Sequence, residues 1–155
     1  FLGITTATEL RHLALAVLEG VAFSARHLLD ACVAAAGRPA DELRLSGGGA
    51  RSPLWNAVKA SVHGRSLLAL ATRDSGVLGS ALLGLVAAAI EPDTDAAGAR
   101  RVHVAGTIDP EPGHVGRLED LYGVYRAAQD ALLPLFPRLG SARTAEGTDA
   151  EVGAG

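Results

Sequence analysis

The run LRLSGGGARSPLW, Leu43 to Trp55, constrains this chain more than any other segment. A short apolar stretch, Leu43–Leu45, meets three consecutive glycines, and Ser52-Pro53 then opens a helical pattern. Serine is a favoured N-cap, and proline fits the first helical position, where its missing N–H costs nothing. The spacing predicts a strand, a bare loop and a helix N-terminus, in that order. Such an arrangement offers main-chain amides and a helix dipole to a nucleotide. Gly47, Gly48 and Gly49 have no Cβ, so a flat base or a phosphate can approach the backbone closely. A plain turn between strand and helix tolerates glycines equally well, and on these residues alone both readings stand.

Two better-known nucleotide loops are excluded. A Walker-type loop needs Gly-Lys-Ser/Thr, and the only lysine, Lys59, falls inside the following helix. A dinucleotide fingerprint needs a third spaced glycine where this chain has Ser52, and the nearest acidic residue downstream, Asp74, is too distant for a ribose contact.

Around that run the pattern alternates. Glu9–Ala36 is helical, with Leu13, Val17, Val21, Leu28 and Leu29 recurring near three and four residues. Gly37-Arg38-Pro39 ends it, glycine just past the helix and proline after. Leu43–Leu45 reads as a buried strand, Ser66–Ala71 as a second strand, Pro53–His63 as a helix between them, and Gly76–Ile90 as a tightly packed helix broken by Glu91-Pro92-Asp93. Asp95–Val104 suggests one short helix. Ile108–His114, with Pro110, Pro112 and Gly113, reads as loop, and Val115–Phe136 as a closing helix. Strands alternating with helices predict an α/β domain.

Composition bounds the function classes. Apolar residues make up 48% and charged residues 20%, the balance of a globular chain rather than a disordered one. A net charge of −3 gives no electrostatic footprint for nucleic acid. The apolar run Val77–Ile90 is shorter than the ~20 residues that cross a bilayer, and no signal peptide is visible. We therefore expect a cytoplasmic protein with no membrane partner. Cys32 is alone, forms no internal disulfide, and reads as a small core residue. Methionine is absent and Phe1 sits at the edge of a patterned segment, so the expectation is a domain truncated at its N-terminus.

That segment carries a resemblance. Gly3-Ile4 is followed, after a spacer, by His12-Leu13, Ala16-Val17-Leu18 and Glu19-Gly20. This resembles the C-terminal pattern of the FGGY carbohydrate kinases, which include xylulokinase, gluconokinase, ribulokinase and glycerol kinase. The glycine run then resembles that family's GGGA-x-S-x-x-W adenosine segment. Gly76–Gly84 resembles its small-residue helix, and YGVYRAAQDALLPLF its closing helix. The four segments stand in the family's order over roughly residues 1 to 137.

The resemblance implies an actin-like ATPase (ribonuclease H-like) fold, with residues 1–137 as the second, ATP-binding domain of a two-domain sugar kinase and 138–155 as a disordered tail. It implies ATP and Mg²⁺ as cofactors, adenosine held by Gly47, Gly48, Gly49, Ala50 and Ser52, and a ketopentose such as xylulose as substrate. The sugar and the catalytic aspartate would belong to the missing N-terminal domain, so this chain would hold no catalytic residue and no resident metal. A homodimer is compatible with it. Two other classes remain open at this point: a non-catalytic nucleotide sensor on the same fold, and a structural module in which the glycines are only a turn.

Other residues read as structural. No two of the five histidines stand at metal-ligand spacing with a third ligand beside them. His12 is expected to serve structure rather than proton transfer, Glu19 to make a buried or interfacial hydrogen bond, Trp55 to anchor its helix and Asp74 to cap one. Where the family pattern has Gln and then Ala-Asp after the GGGA run, this chain has Ala57 and Ala60-Ser61, and those changes are expected near the adenosine pocket.

Overall fold

The structure is a computed structural model describing residues 1–72 and 74–138 of the 155-residue chain. It divides into two compact units, Phe1–Leu118 and Glu119–Gly155. The tail expected over 138–155 lies, from residue 139 onward, outside the described residues.

The first unit opens with helix α1, Leu10–Ala36. Its start is a capping box: the Glu9 side chain accepts from the His12 backbone N–H, and His12 Nδ1 accepts from the Glu9 N–H at 3.0 Å. His12 thus serves the helix end, as expected. At the other end Gly37 adopts φ +65°, the left-handed cap conformation that glycine takes without strain.

The apolar stripe that announces α1 is not its buried face. Val17, Val21 and Leu28 are exposed, whereas Glu19, Ala22 and Phe23 are buried. Helix α2, Pro53–His63, packs against that second face and buries Ala60 and Val62. Small residues at the contact let the two backbones approach, and Arg26 Nη1 ties them by donating to the Val62 carbonyl at 2.8 Å. By length and composition α1 could also cross a bilayer. Within this unit, its buried Glu19 and its Arg26 are bonded to protein partners instead.

Strands β1 (Leu43–Leu45) and β2 (Leu67–Leu70) pair in parallel, with Leu43 opposite Leu67 and Leu45 opposite Ala69. The α2 crossover between them makes a βαβ unit, in keeping with the α/β class expected from the sequence. Helix α3 (Ser75–Ala87) and helix α4 (Thr94–Arg101) follow, each N-capped by an aspartate: Asp74 Oδ1 accepts from Val77 N at 3.0 Å and Asp93 Oδ1 from Ala96 N at 2.8 Å. Between them buried Glu91 accepts from Arg100 at 2.6 Å, with Arg101 at 3.7 Å.

A strand then appears that the sequence pattern did not suggest. β3, Val104–Ile108, pairs antiparallel with β2 and gives the sheet order β1-β2-β3. Three more expectations are corrected. Helix α5 runs Pro112–Leu132, so the segment read as loop up to His114 is already helical from its proline. α3 forms where expected but buries no residue, because α4 is the main element it packs on. Cys32 is exposed on the outer side of α1, not in the core.

In the second unit the Tyr122 and Tyr125 rings stack with centroids 6.2 Å apart and planes 14° from parallel. A short 3-10 turn, Leu133–Leu135, continues the chain after α5.

Candidate functional site

The glycine run sits at the C-terminal end of β1, where parallel strands of an open α/β sheet usually place a ligand. Its three glycines differ in their surroundings, and two of them have a physical reason to be bare. Gly47 has φ +83° and ψ −175°, a conformation essentially reserved for glycine. Gly49 is bare because the Trp55 indole lies over it: an added Cβ would stand 2.9 Å from indole Cζ3 and 3.4 Å from Lys59 Nζ. At Gly48 an added Cβ would meet nothing within 4 Å. The space above Gly48 is open.

Gly48–Arg51 forms a tight 3-10 turn, closed by Ala50 N–H donating to the Gly47 carbonyl at 3.1 Å. Ser52 then caps α2, its hydroxyl accepting from Trp55 N–H at 3.3 Å, and Pro53 takes the first helical position, as predicted. The structure therefore brings Gly47, Gly48, Gly49, Ala50 and Ser52 together in one loop at a helix N-terminus.

Sequence reasoning missed what holds that loop. Asn56 Nδ2 donates to the Ala50 carbonyl at 2.7 Å, and Lys59 Nζ donates to the Gly49 carbonyl at 2.9 Å. The same ammonium sits 4.0 Å from the centroid of the Trp55 ring, a cation–π contact. Burial in this spot lowers the Lys59 pKa from its ordinary value. The available signal was spacing: residues 52, 56 and 59 lie four and three apart, on one helix face.

Beside the loop lies a cleft of about 380 Å³ lined by Gly47, Ala50 and Arg51 of the loop, Ala69–Thr72 at the end of β2, and Ala105 of β3. Its walls are mostly short side chains, and among the described residues Arg51 supplies the one charge and Thr72 the one hydroxyl of the lining. A planar group can slide against such walls, and an arginine can stack on it or bond its acceptors.

Ala57 and Ser61, expected near an adenosine pocket, do not line this cleft. They lie four residues apart on a different face of α2 and line a second cavity of about 170 Å³ with Glu19 and Arg117. The buried Ser61 hydroxyl accepts from Glu111 N–H at 2.9 Å, serving the entry to α5. Glu19 makes the hydrogen bond expected of it, accepting from Arg117 Nη2 at 2.7 Å.

Comparison with known proteins agrees with this geometry. Residues 1–88 match the model for the FGGY family of carbohydrate kinases, C-terminal domain. An erythritol kinase of Brucella abortus (strain 2308) is 28% identical over 145 residues, covering 92% of this chain and 27% of that protein. A xylulose kinase of Lactococcus lactis subsp. lactis (strain IL1403) is 26% identical, over 81% of this chain and 25% of its own length. Among solved structures, a xyloylose kinase from Brucella ovis superposes with a TM-score of 0.74 at 32% identity, over 87% of this chain and 28% of that one. The chain thus spans about a quarter of the length of these relatives. The matched residues, the parallel βαβ unit and the glycine loop at its strand end converge: this chain belongs to the FGGY family of carbohydrate kinases, and its fold is that of the family's α/β, actin-like C-terminal domain.

Proposed function

We propose that this chain forms the adenosine side of an ATP site in a kinase that phosphorylates a hydroxyl of a sugar or polyol. Gly48 carries the reading. Gly47 answers to its own dihedral and Gly49 to the indole, but among the described residues nothing requires residue 48 to be bare. Open space above backbone, next to a cleft walled by alanines, fits a flat base and its ribose.

In this reading Gly47–Ala50 present main chain to the adenosine, and the Ser52-capped helix turns its positive end toward the bound nucleotide. Arg51 and Thr72 orient the nucleoside from the cleft wall. When bound, ATP supplies the transferable γ-phosphoryl group, with Mg²⁺ neutralising its charge. On the same reading Mg²⁺ rides on the nucleotide phosphates rather than in a dedicated protein cage. In this reading the base for the substrate hydroxyl belongs to the sugar-binding part of the kinase, and residues 1–137 alone do not phosphorylate sugar.

A ketopentose such as xylulose is our substrate reading, supported by the xylulose kinase relatives. A four-carbon polyol is the second, favoured by the erythritol kinase match that runs over 92% of the chain. The use of ATP as phosphoryl donor supports a cytoplasmic enzyme.

Thermal unfolding with and without millimolar Mg-ATP tests the site. Ligand at a hundred times its dissociation constant stabilises a binder by about 2.7 kcal/mol. We expect a shift in the parent chain and none in Gly48→Val, whose own stability stays close to the parent's. A shift of equal size in both would remove the nucleotide from this loop.

A further inference from the structure

We infer that Lys59 is a positioning residue of the nucleotide loop: its ammonium clamps the Gly49 carbonyl to α2 and so sets the backbone on which the nucleotide rests. The inference builds on the ATP-site reading above.

The geometry is specific to an ammonium. Nζ lies 2.9 Å from the Gly49 carbonyl oxygen and 4.0 Å from the Trp55 ring centroid, with Asn56 Oδ1 at 3.5 Å. One compact cation thus meets a carbonyl, a π face and an amide oxygen at once. A planar guanidinium cannot repeat that arrangement, because its donors are fixed in a fork. The chain otherwise places arginine at its cationic positions and uses lysine here alone. Lys59 touches neither the space above Gly48 nor the cleft lining. It acts through the loop: holding the Gly49 carbonyl on the helix side fixes the Gly49–Ala50 peptide plane, while Asn56 fixes the next carbonyl. The loop is thereby ordered before a nucleotide arrives, which lowers the ordering cost of binding.

The pair also provides its own reporter. Lys59 is the only lysine and Trp55 the only tryptophan, and they are in contact. Groups facing the ammonium are Trp55 and Asn56 from α2 and the Gly49 carbonyl from the loop, none of them titratable in the working range. Burial lowers its pKa, so the clamp opens on the alkaline side, below the pH at which a free lysine loses its proton.

The test uses Lys59→Met, which keeps the length of the stem and removes the charge, with three readouts. These are Mg-ATP affinity by Trp55 fluorescence, the alkaline fluorescence transition, and amide hydrogen exchange. We expect affinity about tenfold weaker, the scale of one charge-assisted hydrogen bond. The alkaline transition disappears, and amides of Gly48–Ala50 exchange faster while those of α1 do not change. Unchanged affinity with unchanged loop exchange overturns the clamp. Absence of Mg-ATP binding in the parent chain overturns the ATP-site reading instead, and the clamp then stands or falls on the exchange and the alkaline transition. If Lys59→Met does not fold, Lys59→Arg keeps the ring contact but misplaces the carbonyl contact. Its loop exchange must rise, and parental exchange in that variant overturns the proposal.

Discussion

Arg117 Nη2 and Glu19 Oε1 meet at 2.7 Å, tying the first turns of α5 to the middle of α1. Within the FGGY pattern Glu19 is the last polar position, and here it works as a strut between helices. The Glu19 side chain is 12% exposed and that of Arg117 51%, so water screens one partner and not the other. Removing the carboxylate leaves a half-solvated guanidinium, whereas removing the guanidinium strands a buried carboxylate. We predict that Glu19→Ala costs about 1.5–3 kcal/mol, the range for hydrogen bonds to charged groups, and that Arg117→Ala costs at least as much despite its greater exposure. Urea unfolding of both variants checks the order.

The glycine triplet makes a sharper prediction because its members differ in cause. Gly47→Ala forces a side chain into a backbone conformation essentially reserved for glycine and costs about 1–3 kcal/mol of stability. Gly49→Ala drives a methyl to 2.9 Å from the indole and costs about 1–3 kcal/mol by overpacking. Gly48→Ala meets open space and leaves stability within about 0.5 kcal/mol of the parent. Lowered denaturation midpoints at positions 47 and 49 with a parental one at 48 confirm the assignment; three equal losses would refute it.

His63, at the end of α2, gives the chain a pH dependence. Burial lowers its pKa from the ordinary value of 6.5, the Arg26 and Arg65 charges lower it further, and Asp30 opposes them. In the unfolded chain it protonates near 6.5; in the folded chain it resists until lower pH. Stability from this group is therefore complete above 6.5 and declines as pH falls through the folded value. Urea unfolding between pH 8 and 5 should show the decline, and His63→Gln should flatten it.

Cys32 is predicted to react with a thiol reagent in the native chain, one equivalent without denaturant. Labelling that waits for unfolding would return it to the core.

Much of this fold was legible where local chemistry decides. Ser52 and Pro53 announced α2, Gly37 ended α1, and Asp74 capped α3 because caps act within a few residues. β3 was not legible: VAGTI is short, contains a glycine and is mostly exposed, so its identity comes from pairing with β2 far back in the chain. Pro112 was read as a loop residue although Pro53 was read as a helix start. What separates them is remote, since buried Ser61 receives the Glu111 N–H and fixes the entry to α5. Cys32 and α3 failed for a related reason, as apolar character marks what is able to be buried, not what finds a partner. At the site the GGG run was visible, but the different surroundings of its glycines and the roles of Asn56 and Lys59 were not, since a backbone dihedral, the resting place of an indole and contacts from the next helix are all set by the folded chain.

The contacts from Trp55, Asn56 and Lys59 back onto Gly49 and Ala50 mean that the loop's shape is written in the helix after it. The heritable unit is then the whole stretch from Gly47 to Lys59. A chimera that carries GGGA alone onto another family member's helix transfers the letters and loses the conformation. Exchanges at positions 49 and 55 are likewise bound to each other, since a larger residue in the loop is tolerable only beneath a smaller ring.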